Sequence, residues 1–233
     1  MEDEMRSKIE FLRADLMRVA CKNNKGHIAS SLSCLEILAV LRYKILGPDD
    51  TLILSKAHGC YGLYAIDADQ GVIDQDTWEN FRLPGSYNGL GALGHGLPLG
   101  AGVAFGRRLQ GHPGHVFVIV GDGELQEGSN WEALGFIHHH GLTNVTLVVD
   151  DNQLQAIEPT KDVIVADLFS RFRGWGFEPR LIDGHCLGEI EHALKHDRTI
   201  IARTSKGKGF PAMENVAKFH YRVPTEEERS PCK

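Results

Sequence analysis

No stretch of this chain approaches the roughly 18 consecutive apolar residues of a membrane span, and the opening Met1-Glu2-Asp3-Glu4 is acidic and leads into no signal-like apolar segment. Together these absences predict a cytoplasmic protein with no membrane partner. Cysteine is sparse: five residues, at 21, 34, 60, 186 and 232, form no Cys-x-x-Cys pair and, being odd in number, cannot all pair within the chain. Reduced thiols are expected, not a disulfide framework. Positive charge is in deficit, with 25 Lys and Arg against 31 Asp and Glu and a net charge of −6, which argues against a nucleic-acid binder. A small anion could still bind locally. Tandem repeats and low-complexity linkers are missing as well, and Gly and Pro are scattered, so residues 1–233 read as one domain. At 42% hydrophobic and 24% charged, the chain has the composition of an ordinary globular protein with a sizeable core.

What is present centres on residues 115–155. Val116 to Val120 is an unbroken, β-branched-rich run ending in Gly121-Asp122-Gly123, which predicts a buried strand stopping at a tight turn. Ser129 to His140 predicts a helix, with Ser129 or Asn130 as the cap and Gly141 as the stop. A second buried-type strand, Val145 to Val149, runs into Asp150-Asp151-Asn152. Such a strand-helix-strand unit is normally parallel and right-handed. In open parallel sheets ligands sit beyond the carboxyl ends of the strands. Asp122 and Asn152 would then face one crevice, and a carboxylate with an amide oxygen suits a hard cation such as Mg²⁺ that retains places for phosphate oxygens. Taken singly, Gly-Asp-Gly and the Asn are common turn residues. The pair across one crossover is the stronger signal.

The rest of the chain continues the alternation. Met5, Ile9, Leu12, Leu16 and Val19 predict an amphipathic helix over about 5–22, and Leu35, Leu38, Leu41 and Ile45 a second one. Leu52 to Leu54 predicts a short strand, the Gly-rich start at Gly91 to Gly96 a helix running to about Gln110, and 177–182, 187–195 and 199–204 a strand, a helix and a strand. Glycines at the helix start near residue 96 would let backbone N–H groups approach an anion, or serve close packing, or both. Lys206-Gly207-Lys208-Gly209 lacks P-loop spacing. His138-His139-His140 in a last helical turn cannot share one face, and complements the helix dipole instead. The expected fold is α/β, one domain with a mainly parallel central sheet flanked by helices.

Gly121-Asp122-Gly123, Leu125-Gln126-Glu127-Gly128, Trp131-Glu132-Ala133 and Asp150-Asp151-Asn152-Gln153 resemble the thiamine diphosphate motif of transketolases. Gly26-His27-Ile28-Ala29-Ser30, Ser55-Lys56-Ala57-His58-Gly59, Gly91-Ala92-Leu93-Gly94-His95-Gly96 and the closing Lys206-Gly207-Lys208-Gly209 to Phe219-His220 extend the resemblance over nearly the whole chain. It implies a cofactor, thiamine diphosphate with Mg²⁺ (or Ca²⁺ or Mn²⁺), the metal held by Asp122, Asn152 and the carbonyl of Leu154. It implies cofactor binding by His58, Gly91, Leu93, Gly121, Asp122, Gly123 through its amide, Glu124, Asn152 and His220. His27 would face the donor sugar, His220 the diphosphate and reacting carbonyl, and Glu127 an interface beside a partner's catalytic carboxylate. Where the family usually carries a longer loop with a Gly-His-Pro segment, only Tyr87-Asn88-Gly89-Leu90 stands here, which bears on sugar specificity.

The family's catalytic glutamate belongs to a pyrimidine-binding domain that this sequence does not contain. The resemblance therefore implies the N-terminal subunit of a split, two-component transketolase, a ketol transferase acting on sugars only with a separate pyrimidine-domain subunit, most simply as a heterotetramer. Two alternatives stand beside it: the α subunit of a 2-oxo-acid dehydrogenase or decarboxylase, and a non-catalytic cofactor-binding partner.

Overall fold

The computed structural model describes residues 2–81, 92–156, 158–164 and 167–229. Five strands, β1 Thr51–Leu54, β2 Val116–Gly121, β3 Val145–Asp151, β4 Arg180–Asp183 and β5 Thr199–Arg203, form one sheet in the order β1-β2-β3-β5-β4. Every pairing in it is parallel. The register sets Gly121 beside Asp150, and Asp151 beside Arg203, so the polar ends of β2, β3 and β5 line up along one edge.

Ten α-helices are assigned among the described residues: α1 Glu2–Lys22, α2 Ile28–Leu32, α3 Leu35–Val40, α4 Tyr61–Asp69, α5 Gln75–Glu79, α6 Gly96–Gln110, α7 Gly128–His139, α8 Thr160–Val163, α9 Leu168–Gly174 and α10 Leu187–His196. Successive side chains of a strand point to opposite faces, and the core divides accordingly. Phe117 and Ile119 join α1 to α4 and α10 on one face, whereas Val116, Val118 and Val120 join α6, α7 and Phe172 of α9 on the other. The result is helix layers on both sides of a parallel sheet, as expected.

Three local expectations are corrected. The pattern from Leu35 to Ile45 is not one α-helix: α3 ends at Val40 and continues as a wider π turn over Leu41–Ile45. The fourth strand starts at Arg180, not at Phe177, whose ring packs near His138 and Phe172. Neither Ser129 nor Asn130 caps α7. Ser129 Oγ donates to Gly94 O at 2.6 Å and Asn130 Nδ2 to Glu124 O at 2.7 Å, so both side chains tie the helix to preceding loops. His138 and His139 do lie in the last turn of α7, while the His140 ring packs on Phe136 and Phe105. No helix among the described residues is long and apolar enough to cross a membrane.

Candidate functional site

The site is built where the sheet's carboxyl edge meets two turns. Asp122 follows β2 and is 4% exposed. Its Oδ2 accepts from Thr160 Oγ1 at 2.8 Å. Burial, with the Asp150 and Asp151 carboxylates nearby, pushes its pKa up to about 6 against the Thr160 bond. Such a carboxylate gains from a cation placed against it. Asn152, 6% exposed after β3, has its amide oriented at both ends: Nδ2 donates to Asp150 Oδ2 at 3.3 Å and Oδ1 accepts from Leu154 N at 3.1 Å. Gln153 between them has φ 61°, a left-handed conformation that costs free energy for a residue with a side chain and clusters at functional sites. A cavity of about 770 Å³ is lined by Asp122, Asn152 and Leu154 together, with Gln126, Thr160 and Thr204 beside them. The three residues expected to hold a metal are thus brought to one wall.

The three histidines also converge, from three different segments. Ring centroids are 5.3 Å apart for His27 and His58, 4.9 Å for His27 and His220, and 5.4 Å for His58 and His220. His27 precedes α2 at φ 61°, and its amide donates to the carbonyl of His220 at 2.9 Å. Adjacent Gly26 permits this closeness, since a Cβ there would stand 2.4 Å from Tyr221 O. Burial, then the neighbouring Lys56 and the other two rings, pushes His58 down to about 2, and burial with Lys206 pushes His220 down to about 3. Burial lowers His27 as well. All three rings are neutral at pH 7.

Two lysines that sequence reasoning passed over connect these parts. Lys206 is 2% exposed, and its Nζ donates to Leu154 O at 3.1 Å and Gln155 O at 2.8 Å and stands 2.9 Å from His220 Nδ1. Among the described residues it is the bridge from cavity wall to histidine triangle, because the cavity lining does not itself include the rings. An ammonium facing Nδ1 makes that nitrogen the acceptor and places the imidazole proton on Nε2. Lys56, equally buried, pairs with Asp150 Oδ2 and donates to Ser30 O at 2.9 Å. Asp150 also accepts from Ser33 Oγ at 2.6 Å and from Thr204 Oγ1. The available signal was a lysine at the end of β1 and another just past β5, beside acidic strand ends.

Other expected site residues fall differently. Both carboxylate oxygens of Glu124 are engaged within the chain: Oε1 accepts from Gly94 N at 2.8 Å and from Ser55 Oγ, and Oε2 from Gly121 N at 3.1 Å. It fastens together the segments bearing Ser55, Gly94 and Gly121. Gly123 lies in the turn after Asp122, where a Cβ would meet Gln155 Cγ at 2.8 Å. The start of α6 serves packing: Gly96 N donates to Ser55 Oγ at 3.0 Å, and a Cβ on Gly96 would stand 2.3 Å from Ser55 Cβ. Leu93 is 42% exposed and Glu127 is on the surface. Gly91 and the short loop before it lie outside the described residues. Two buried nitrogens, His27 Nδ1 and Gln155 Nε2, have no hydrogen-bond partner among the described residues. Unpartnered buried donors are uncommon, and each fits a site that completes its bonding with a polar ligand. Oxygen ligands on one wall, a buried lysine and these nitrogens together suit a cation-bound diphosphate.

Comparison with known proteins agrees with this chemistry. Residues 2–228 match the family model described as transketolase, thiamine diphosphate binding domain. The chain is 30% identical over 257 aligned residues to a protein of Actinobacillus succinogenes named as one subunit of an apulose-4-phosphate transketolase, covering 97% of this chain and 93% of that protein. It is 31% identical to the protein of the same name in Phocaeicola vulgatus, covering 93% and 88%. Human transketolase is 32% identical, with 90% of this chain but 38% of that protein covered. The solved transketolase of Campylobacter jejuni superposes with a TM-score of 0.86 at 27% identity, over 96% of this chain and 41% of that one. Against these longer proteins the chain spans about two fifths of their length.

Proposed function

Because the chain belongs to the transketolase family, as its thiamine diphosphate binding domain, we propose that it is the diphosphate-binding subunit of a two-component transketolase. It would transfer a two-carbon ketol unit from a ketose to an aldehyde together with a separate pyrimidine-domain subunit. The observation that carries this reading is the convergence of His27, His58 and His220 beside Lys206 and the Asp122–Asn152–Leu154 wall. Its two-component form is supported by the match over 93% and 88% of two proteins that are themselves named as transketolase subunits.

Asp122, Asn152 and the Leu154 carbonyl would hold Mg²⁺, Ca²⁺ or Mn²⁺, and Lys206 and His58 would face the diphosphate. When bound, thiamine diphosphate supplies the carbanion stabilisation that makes and breaks the carbon–carbon bond beside a ketone. The chain's own residues orient the reacting groups. His220, neutral and with its proton on Nε2, can donate a hydrogen bond toward a substrate oxygen while Lys206 holds Nδ1. His27 Nδ1 is free to bond a sugar hydroxyl. Glu127, which is exposed, would meet the partner at the interface, and two copies of each component would complete two sites as a heterotetramer. The free cysteines Cys21, Cys34, Cys60 and Cys186 accord with the cytoplasm as its compartment.

The test is ketol transfer by the purified chain with thiamine diphosphate and Mg²⁺, alone and mixed with its pyrimidine-domain partner. Apulose 4-phosphate, the sugar phosphate in the names of two relatives, is the first substrate to try. Activity only in the mixture is expected. Turnover by the chain alone would rule out the split enzyme, and a mixture that consumes 2-oxo acids but no ketose would transfer the reading to the dehydrogenase class.

A further inference from the structure

Outside the lining of the cavity, three buried or nearly buried ionisable side chains meet that the chemistry above does not use. Arg13 of α1 and Glu36 of α3, 3% and 6% exposed, form an ion pair at 2.5 Å through Nη2 and Oε1. Oε2 of Glu36 faces Nδ1 of His185 at 3.3 Å, and neither atom has a hydrogen-bond partner among the described residues, so the approach is one of charge and proton toward each other. Burial works to raise the Glu36 pKa, yet His185 and Arg13 outweigh it and hold the carboxyl below its ordinary range. On its other side, His185 Nε2 accepts from the amide of Ser205 at 2.9 Å, and Arg13 Nη1 donates to Lys208 O at 2.9 Å.

These contacts bracket Lys206. Ser205 precedes it and Lys208 follows it, while Gly207 N donates to Ala29 O at 3.0 Å and Asn215 N to Lys206 O at 2.8 Å. Gly209, at φ 91°, completes the fit, because a Cβ there would stand 2.3 Å from Arg13 Cδ. An imidazole nitrogen that accepts a backbone N–H carries no proton, so the His185 proton resides on Nδ1, toward the carboxylate. A carboxylate that fixes a tautomer, whose other nitrogen then fixes a backbone position, acts on the site through geometry alone.

We propose that Arg13, Glu36 and His185 are positioning residues: they set the Ser205–Gly209 loop so that the Lys206 ammonium reaches both the Leu154 carbonyl and His220 Nδ1. The role goes beyond the cofactor-binding residues named above, and only one arm of its test depends on the function proposed for them.

In the wild-type chain, nitrogen NMR of His185 is expected to show the Nδ1–H tautomer, and an Nε2–H ring would overturn the proposal without any variant. His185→Gln keeps an acceptor where Nε2 stands, and His185→Asn keeps only a donor toward Glu36. The Gln variant should retain thiamine diphosphate affinity within about twofold and the Asn variant lose about tenfold, with the His220 titration in His185→Asn moving up from about 3 as Lys206 withdraws. Equal affinities for the two variants, or a His220 titration unmoved in His185→Asn, would refute the positioning role. A wild-type chain that binds no thiamine diphosphate would instead sink the proposed function, and the positioning role would then stand or fall on the His185 tautomer and the His220 titration.

Discussion

Lys206 Nζ stands 2.9 Å from Nδ1 of His220, and the same ammonium donates to Leu154 O. One side chain therefore touches both the wall expected to hold a metal and a ring expected to face substrate. Burial and neighbouring Lys56 bring the Lys206 pKa down to about 8, against the pull of Asp122 and Asp150. Lys206→Met should leave the sheet folded, weaken diphosphate binding by about tenfold or more, and let His220 titrate above its present value of about 3. Calorimetric titration with thiamine diphosphate and Mg²⁺, beside NMR of the ring, measures both. Unchanged affinity would remove Lys206 from the site.

The neutral histidines make stability depend on pH in a defined direction. His58 and His220 are depressed to about 2 and about 3 in the fold, against the ordinary 6.5. The unfolded chain takes up these protons below pH 6.5 and the folded chain does not, so their contribution is present above 6.5 and is lost as pH falls toward 3. Urea unfolding of the ligand-free chain should show falling stability between pH 6.5 and 4. His58→Gln should flatten that slope by up to one proton. A slope unaltered in the variant would mean His58 is not buried neutral.

Lys56 and Asp150, 2% and 0% exposed, make the most deeply buried ion pair that joins the site to the sheet. Removing one partner leaves an uncompensated buried charge, so Lys56→Met should destabilise by about 3–5 kcal/mol. Lys56→Met with Asp150→Asn should recover a large part of this, since neither group is then charged. A double-mutant cycle by denaturant unfolding measures the coupling. Additive losses would show that the pair contributes nothing as a pair.

What the sequence disclosed, and what it hid, divides along physical lines. Strands β2 and β3 were legible because a strand buried on both faces must be apolar at every position, and Val116 to Val120 and Val145 to Val149 are very nearly so, with Thr146 the one exception. Asp122 and Asn152 follow from those strand ends. His27, His58 and His220 were reached by resemblance, since nothing in periodicity announces that rings so far apart in the chain will come within 5.4 Å of one another. Lys56–Asp150 and Lys206–Leu154 were missed for the same reason: the partner of a buried charge is a property of the tertiary fold. Ser129 and Asn130 misled because local rules assign such side chains to caps, whereas here each bonds a loop from another segment. The π turn at Leu41–Ile45 left no trace in a pattern spaced by threes and fours.

Gly26 offers a test of how tightly the closing segment is seated. A methyl group there would meet Tyr221 O at 2.4 Å, and that contact is backbone, which cannot turn aside as a flexible side chain could. Gly26→Ala should therefore displace the segment bearing His220 and reduce cofactor affinity on the order of tenfold, with the sheet intact by circular dichroism. Gly102→Ala, where nothing lies within 4 Å of the added carbon, serves as the control and should bind as wild type. Loss in both variants would point to a general effect of substitution in place of this contact.

Asp122 should show stability and function opposed at one carboxylate. Its carboxyl is raised to about 6 by burial, with Asp150 and Asp151 adding to the rise. A group whose folded pKa is raised favours the fold fully only below its unfolded value near 4, and that advantage disappears as pH rises through 6. Asp122→Asn, measured without metal or cofactor, should then match wild type near pH 4 and exceed it well above pH 6 by on the order of 3 kcal/mol. With Mg²⁺ and thiamine diphosphate the order should reverse, because the wild-type carboxylate gains its cation and the amide offers a weaker ligand. Unfolding curves at pH 4, 5 and 8, with chelator or with Mg²⁺ and cofactor, read both halves. A variant less stable than wild type at pH 8 in chelator would show that Asp122 is held for the fold and not for a ligand.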